Sequence, residues 1–308
     1  MKFTTRWKRE NTWLAFSFFG FVLIPAVIIG APVPGLWNIY SQVPLARVLL
    51  VVGLGYLWGL GAVTYGVGMD RLGIGLGSAF VLGISTLVGT ILPLFMVGGV
   101  SLKWAPFTVG LIMLMVGIAI CGWAGSERER ATSTTPGGPK RRYVSGVTIC
   151  IISGVFSSLL NVGMFAARPV QELASRGPAT AWASGDAVWP MLLFGGFLAN
   201  ATYCAWLLVR TGSADLYLSG GWREWLGSFA MGAAWIIGVL MYGAGAFFMG
   251  NLGAIIGWPV FMSLMLVCAY LVGRLTNEWS GVGVAVMRRM NTGIAITVVS
   301  LFFIGYSR

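Results

Sequence analysis

The stretch YGVGMDRLGIGLG at residues 65–77 returns in altered form as YGAGAFFMGNLGAIIG at residues 242–257. Each copy connects one long apolar segment to the next one along the chain. A helix pair that recurs in both halves of a membrane protein is typical of secondary transporters built from internal repeats. One apolar segment precedes the first copy within its half and two precede the second, so the first half is shorter by one segment.

The composition is that of a membrane protein. Hydrophobic residues make up 57% and charged residues 9% of the 308 residues, whereas soluble domains contain about 25% charged residues. The 45 glycines favour close packing of helices in lipid, where small side chains let backbones approach. We therefore expect a single membrane domain over residues 1–308 without a separate soluble domain.

Nine apolar segments reach the length of roughly 20 residues that a bilayer-spanning α-helix needs. They cover residues 12–32, 43–66, 73–97, 105–124, 144–167, 187–209, 226–249, 252–273 and 291–306. A charged stretch with Pro and Gly at 125–143 predicts a flexible cytoplasmic linker between a first repeat, 1–124, and a second repeat, 144–308. The sequence thus predicts an all-α polytopic membrane protein with nine transmembrane helices.

Lysine and arginine residues concentrate on one side of this arrangement. If the N-terminus is cytoplasmic, 15 of the 20 basic residues fall on the cytoplasmic side, in agreement with the positive-inside rule. An external C-terminus follows from nine spans. The net charge of +11 comes from the ends of apolar segments rather than from a basic surface stripe, so we expect no nucleic-acid partner.

The sequence lacks the patterns of enzymes and metal sites. It contains no His, and its four cysteines lie in or beside apolar segments without metal-ligand spacing. The glycines at 73–89 are not followed by the Lys-Ser/Thr of a phosphate-binding loop. We expect no enzyme activity, no metal and no cofactor. A non-transporting sensor subunit is an alternative, although no segment is long enough for a soluble output domain.

Polar residues inside apolar segments are the first candidates for contacts with a polar solute, because lipid does not tolerate them without a partner. Ser157, Asn161 and Arg168 share one helix face by their spacing, and Asn161 offers both a donor and an acceptor. Asn200 is embedded in the same way in the next apolar segment. We expect Asn161, Ser157 and Asn200 to bind substrate; hydrogen bonding to a neighbouring helix is the alternative.

Aromatic residues in or beside the repeated helix pairs are the second group of candidates. We expect Tyr65, Tyr242 and Trp258 to line the substrate cavity, and Trp235 shares a helix face with Tyr242. Pro259 follows Trp258 and is able to break the helix, and broken helices line cavities in transporters. Anchoring of the rings at the membrane interface, or a kink without ligand contact, is the alternative.

A secondary transporter that is driven by protons requires a group that changes charge, usually a carboxylate within the membrane. None of the nine acidic residues lies in the middle of an apolar segment. Asp186 and Glu172, at the edges of the sixth and fifth segments, come closest and are the predicted proton carriers of such a transporter. Solvated loop charges are the alternative for both residues.

Four stretches of the chain resemble one family of transporters. They are YGVGMDRLGIGLGSAFVLGISTLVGTILP at 65–93, GVFSSLLNVGMFAARPVQELA at 154–174, GWPVFMSLML at 257–266 and NEWSG at 277–281. In this order they resemble the L-rhamnose–proton symporter family of the larger drug/metabolite transporter group. The similarity covers nearly the whole chain.

The resemblance implies both a fold and a function. The fold has ten helices in two five-helix repeats of opposite orientation, of which this chain shows four plus five. The opening MKFTTRWKRENTW is similar to a family stretch between the first and second helices, which predicts a further helix upstream of Met1.

The implied function is import of a small sugar, L-rhamnose in the first place, by proton symport with alternating access across the bacterial inner membrane. The proton is then the coupling ion, and the partners are the sugar and the lipid bilayer, with a homodimer left open. A permease or exporter of another metabolite is the alternative function.

Overall fold

A computed structural model describes residues 6–97, 101–132 and 143–308 of the chain. Within these ranges the elements are helical, and none is a strand. The elements are α1 (Arg9–Phe18), a π-helical turn (Phe19–Leu23), α2 (Ile24–Gly30), α3 (Leu36–Gln42), α4 (Leu45–Leu72), α5 (Ile74–Met96), α6 (Trp104–Thr132), α7 (Tyr143–Ala166), α8 (Arg168–Ser175), α9 (Ala181–Asp186), α10 (Trp189–Thr211), α11 (Leu216–Ser219), α12 (Trp222–Phe248), a 3-10 turn (Gly250–Leu252), α13 (Gly253–Leu275) and α14 (Val284–Tyr306). The predicted all-α class is confirmed.

In the described part of the chain, nine helical stretches are long and apolar enough to cross a membrane. They are Arg9–Gly30, Leu45–Leu72, Ile74–Met96, Trp104–Ala131, Tyr143–Ser175, Ala181–Thr211, Trp222–Phe248, Gly250–Leu275 and Val284–Tyr306. Each stretch contains most of one predicted apolar segment. The nine predicted segments are therefore confirmed by length and composition.

The predicted flexible linker at 125–143 begins as a helix, because α6 continues to Thr132. Its charged side chains have partners there. Glu127 forms an ion pair with Arg289, whose guanidinium lies 4.5 Å from the ring centroid of Trp123. Residues 125–132 are therefore helical, residues 133–142 lie outside the described part, and the linker between two repeats stays a prediction.

Both copies of the repeated motif form the end of one helix and the start of the next. The helices α4 and α5 meet at Gly73, whose φ is 87°. The helices α12 and α13 are joined through Gly250, whose φ is 60°. Residues with a side chain rarely adopt a backbone conformation with positive φ, so glycine suits both turns. Both copies of the repeated motif therefore form the same local structure, a turn between two helices at a glycine with positive φ.

The described residues form two compact units, and each unit takes segments from both ends of the chain. The first unit comprises Met1–Val63 with Leu159–Gly250, and the second comprises Thr64–Ser158 with Asn251–Arg308. The division into repeats at 1–124 and 144–308 stays a prediction.

Glycines hold the helices of the first unit close together. A Cβ on Gly20 would lie 3.2 Å from Cα of Gly232, where the π-helical turn packs against α12. A Cβ on Gly59 of α4 would lie 2.6 Å from the carbonyl oxygen of Gly196 of α10. Such small residues allow backbones to approach in lipid, as the composition predicts.

The second unit is built in the same way around α6, which packs against α5 and α14. A Cβ on Gly117 would lie 3.0 Å from the carbonyl oxygen of Gly293. A Cβ on Gly293 would in turn lie 3.0 Å from the backbone nitrogen of Cys121. Close contact between α6 and α14 therefore depends on small residues on both helices.

Candidate functional site

Two of the predicted substrate-binding residues meet in the first unit. Asn161 lies on α7 and Tyr242 on α12, and both side chains are buried. The hydroxyl of Tyr242 donates a hydrogen bond to Oδ1 of Asn161. The chain thus brings an amide and a phenol, both able to bond a hydroxylated solute, to one buried point.

Asp186, one of the two predicted proton carriers, lies beside this pair. It is the last residue of α9 and only 1% exposed. Its Oδ1 accepts a hydrogen bond of 2.8 Å from Nε1 of Trp189, at the start of α10. The ring centroid of Trp189 lies 6.2 Å from that of Tyr242. Asn161, Tyr242, Trp189 and Asp186 therefore form one connected group, here called the carboxyl–aromatic cluster.

Gly243 fixes the geometry of this cluster. A Cβ at this position would overlap both Oδ1 of Asp186 and Nε1 of Trp189. The backbone of α12 therefore lies directly against the carboxyl group and its indole partner. The YGAG motif supplies the phenol through its tyrosine and the close approach through its first glycine, so one motif positions both ends of the cluster.

The carboxyl group of Asp186 is held by a neutral donor. Among the described residues, no lysine or arginine forms an ion pair with it, and the indole of Trp189 is its hydrogen-bond partner. Burial of a carboxylate without a cation is costly, and a bound proton removes that cost. The arrangement is chemically suited to a group that takes up and releases a proton.

Trp189 was missed in the sequence. It stands three residues after Asp186, at the spacing that brings side chains together on a helix surface. This spacing was available as a signal, but aromatic residues near span ends are usually interfacial anchors. The buried position of Trp189 distinguishes it from such an anchor.

Asn200 is occupied by contacts within the protein. Its Nδ2 donates to the carbonyl oxygen of Gly196 at 2.8 Å, and its Oδ1 accepts from Nε1 of Trp13 at 2.6 Å. The bond from Trp13 joins α1 to α10, as in the alternative of hydrogen bonding between helices, and the bond to Gly196 lies within α10. Substrate binding by Asn200 stays a prediction that this geometry does not favour.

Trp258 is also bound within the protein, in the second unit. Its Nε1 donates to the carbonyl oxygen of Ser85 at 2.8 Å, and its indole fills the space beside Gly89. The helix α13 continues through Pro259, so the expectation of a broken helix is wrong. The indole bond to α5 holds this turn in place, and the hydroxyl of Ser263 donates to the Pro259 carbonyl.

Tyr65 and Ser157 are half-buried residues of the second unit. The hydroxyls of Tyr65 and Ser78 lie 2.9 Å apart, which links α4 to α5. Tyr65 thus bonds a polar side chain of another helix, as its counterpart Tyr242 does in the first unit. The role of Tyr65 and Ser157 in substrate binding stays a prediction.

Glu172 differs from Asp186 in its surroundings. It lies on α8 and is exposed. An exposed carboxylate keeps its hydration, so its charged form is stable without a bound proton. Of the two predicted proton carriers, Asp186 has the environment that suits the role.

A cavity of about 1010 Å³ also lies in the first unit, between α2, α3, α4 and α10. Its walls are mostly apolar, with polar groups chiefly at Tyr40 and Ser41 of α3. A polar solute needs more hydrogen-bond partners than these walls supply. We therefore place the candidate site at the carboxyl–aromatic cluster rather than at this cavity.

The membrane-spanning stretches and the buried cluster together define a polytopic α-helical membrane protein with a polar site between helices of its first unit. Its family follows from a comparison with family models. The model of the L-rhamnose-proton symport protein (RhaT) matches residues 1–307, and the chain belongs to this family. The family is one of transporters rather than enzymes.

Individual relatives agree with the family. The chain is 26% identical to the L-rhamnose-proton symporter of Mannheimia succiniciproducens, over 99% of this chain and 91% of that protein. It is 24% identical to the symporters of the same name from Pectobacterium atrosepticum and Escherichia coli, in each case over 97% of this chain and 90% of the relative. No solved structure matches the chain.

Proposed function

We propose that this protein imports a small sugar together with protons, and that this sugar is L-rhamnose. Its relatives carry the name L-rhamnose-proton symporter and align over almost their full length. The observation that carries the proposal is the carboxyl–aromatic cluster, which joins a buried carboxyl group to a buried amide and phenol. These are the groups that proton binding and sugar binding require.

Asn161 and Tyr242 are the proposed sugar ligands. Each buried group is satisfied by the other when the site is empty, so neither is left without a partner. A sugar that enters offers hydroxyls that both donate and accept, and it exchanges the Tyr242–Asn161 bond for bonds of its own. The exchange favours solutes with several hydroxyls over apolar ones.

Asp186 is the proposed proton carrier, and Trp189 holds it in place. A proton on Oδ2 of Asp186 neutralises the carboxyl group. The indole N–H of Trp189 then still donates its hydrogen bond to Oδ1. The neutral form is easier to move through a low-dielectric region than the charged form. The carrier therefore changes state readily when proton and sugar are both bound, which is the basis of symport.

The proposed transport cycle uses alternating access of two inverted repeats, four helices in 1–124 and five in 144–308. The N-terminus is placed in the cytoplasm and the C-terminus outside the bacterial inner membrane. Protons are the coupling ion, and no other cofactor or metal takes part. These statements rest on the distribution of basic residues and on the resemblance described above.

Uptake of labelled L-rhamnose by cells that make the protein tests the proposal. We expect uptake that unlabelled L-rhamnose inhibits and that a protonophore abolishes. A competition series with other monosaccharides and with amino acids then defines the substrate class. Normal membrane insertion without L-rhamnose uptake would contradict the proposed substrate and favour a permease of another metabolite.

A further inference from the structure

Three aromatic side chains of the first unit form a second cluster, and one of them lies on α12, the helix that also carries Tyr242. The rings of Trp58 on α4 and Trp235 on α12 are stacked, with centroids 5.6 Å apart and an interplanar angle of 25°. Phe21 of the π-helical turn lies 5.1 Å from Trp58 and 4.8 Å from Trp235. We call the two stacked indoles the tryptophan pair.

The indole N–H groups of the tryptophan pair are unused. Trp58 is buried and Trp235 is half-buried, and within the described residues neither of them donates a hydrogen bond; indoles with a buried N–H usually find an acceptor. Four other tryptophans of the chain do so: Trp7, Trp13, Trp189 and Trp258. The tryptophan pair thus retains two donors that a bound molecule would satisfy.

The orientation of the pair is fixed from two sides. The benzene edge of Trp58 lies against Gly196, where a Cβ would overlap the ring, so its N–H edge faces away from α10. Phe21 is held by the close contact of Gly20 with Gly232. The turn that carries Phe21 is π-helical, and such turns occur frequently at functional sites.

The tryptophan pair also lies in line with the proposed sugar ligands. Trp235 and Tyr242 are seven residues apart on α12, which places them on one face and about 10 Å apart along the axis. Half of this face is therefore an aromatic surface and the other half a hydrogen-bonding one. Ligand sites are commonly built in this way, with apolar walls and a few placed polar groups.

We propose that the apolar C–H face of the sugar lies against the half-buried ring of Trp235, on the side that is not stacked on Trp58, with the indole N–H groups of the tryptophan pair donating to its oxygen atoms. This inference rests on the proposed function, because it names a second part of the same substrate site. It assigns specificity for ring-shaped sugars to Trp58 and Trp235, whereas Asn161 and Tyr242 bind hydroxyls. Linear polyols of similar polarity lack a C–H face and would bind less well.

Substitutions of Trp235 test the inference through the KM for L-rhamnose uptake. Trp235→Leu removes ring and donor, and we expect KM to rise about tenfold. Trp235→Phe keeps a ring without the N–H, so its KM should lie between those of the wild type and Trp235→Leu. Trp206→Leu is the matched control, because Trp206 is exposed and stacks on Tyr203 at 30° on α10; its KM should equal that of the wild type.

A second readout protects the test against loss of folding. L-Rhamnose should raise the melting temperature of the purified wild-type protein and of Trp206→Leu, and raise that of Trp235→Phe by less. Wild-type KM and an unchanged melting shift in both Trp235 variants would overturn the inference alone. Absence of uptake and of any melting shift in the wild-type protein would overturn the proposed function and the inference with it.

Discussion

Tyr242 and Asn161 are 81 residues apart in the sequence, and the hydroxyl of one donates to the amide oxygen of the other in the buried interior of one unit. A hydrogen bond between two buried side chains is modest in net free energy, but either group left alone is expensive. The pair is therefore stable when empty and is exchanged at little cost when a hydroxylated solute enters.

Asn161→Ala should lower the initial rate of L-rhamnose uptake about tenfold, because the sugar loses a donor and an acceptor in a buried site. Membrane abundance should fall by much less, which quantitative immunoblotting measures. Asn200→Ala is the control, since its amide bonds Trp13 and Gly196 within the protein; its uptake and abundance should fall together. Parallel losses in Asn161→Ala would show that Asn161 is only a contact between helices.

Asp186→Asn should abolish accumulation of sugar against its gradient while leaving exchange of internal for external sugar. The amide oxygen still accepts the indole hydrogen bond of Trp189, but the side chain no longer binds and releases a proton. Accumulation and counterflow in membrane vesicles separate the two activities. Glu172→Gln, at an exposed position of α8, should accumulate sugar as the wild type does. Accumulation by Asp186→Asn would exclude Asp186 as the carrier.

Gly243→Ala should destabilise the protein by about 1–3 kcal/mol, because the added methyl group overlaps the Asp186 carboxyl and the Trp189 indole. Uptake should fall as the cluster is displaced. Gly245→Ala is a matched control on the same helix, since its Cβ would meet nothing within 4 Å, and its stability should stay within about 1 kcal/mol of the wild type. Thermal unfolding in detergent compares the two variants, and equal melting temperatures would contradict the close packing at Gly243.

Arg289→Ala should lower stability by about 1 kcal/mol and the melting temperature by about 2 °C. It removes both the ion pair with Glu127 and the contact with the Trp123 ring. The neighbouring Arg288 is exposed, so Arg288→Ala should melt like the wild type. Added salt should reduce the difference between the two variants by screening the ion pair. Indistinguishable melting temperatures at low salt would show that the α6 extension does not depend on Arg289.

The positions of the membrane helices could be predicted from the sequence because the signal is local. A run of about 20 apolar residues has few alternatives in lipid. The ends were less certain, since polar residues extend a helix where a partner is in reach. Arg289 and Glu127 illustrate this, because they form an ion pair in the parts of α14 and α6 that extend beyond the apolar segments.

The candidate site could be predicted only as separate residues. Asn161, Tyr242 and Asp186 stood out individually, but their assembly depends on tertiary packing that single-residue reasoning does not reach. Asp186 and Glu172 looked equivalent at the edges of apolar segments, and burial alone distinguishes them. Trp58 gave no signal beyond composition, because its stacking partner Trp235 lies on a distant helix.

Proton-coupled sugar transport is tested with the purified protein reconstituted in proteoliposomes. Labelled L-rhamnose is presented outside under an imposed pH gradient, acidic outside, with and without a protonophore. We expect L-rhamnose to accumulate transiently above its external concentration, and we expect the protonophore to reduce this accumulation to equilibration. Equilibration that is the same with and without the gradient, or no entry of L-rhamnose at all, would contradict it.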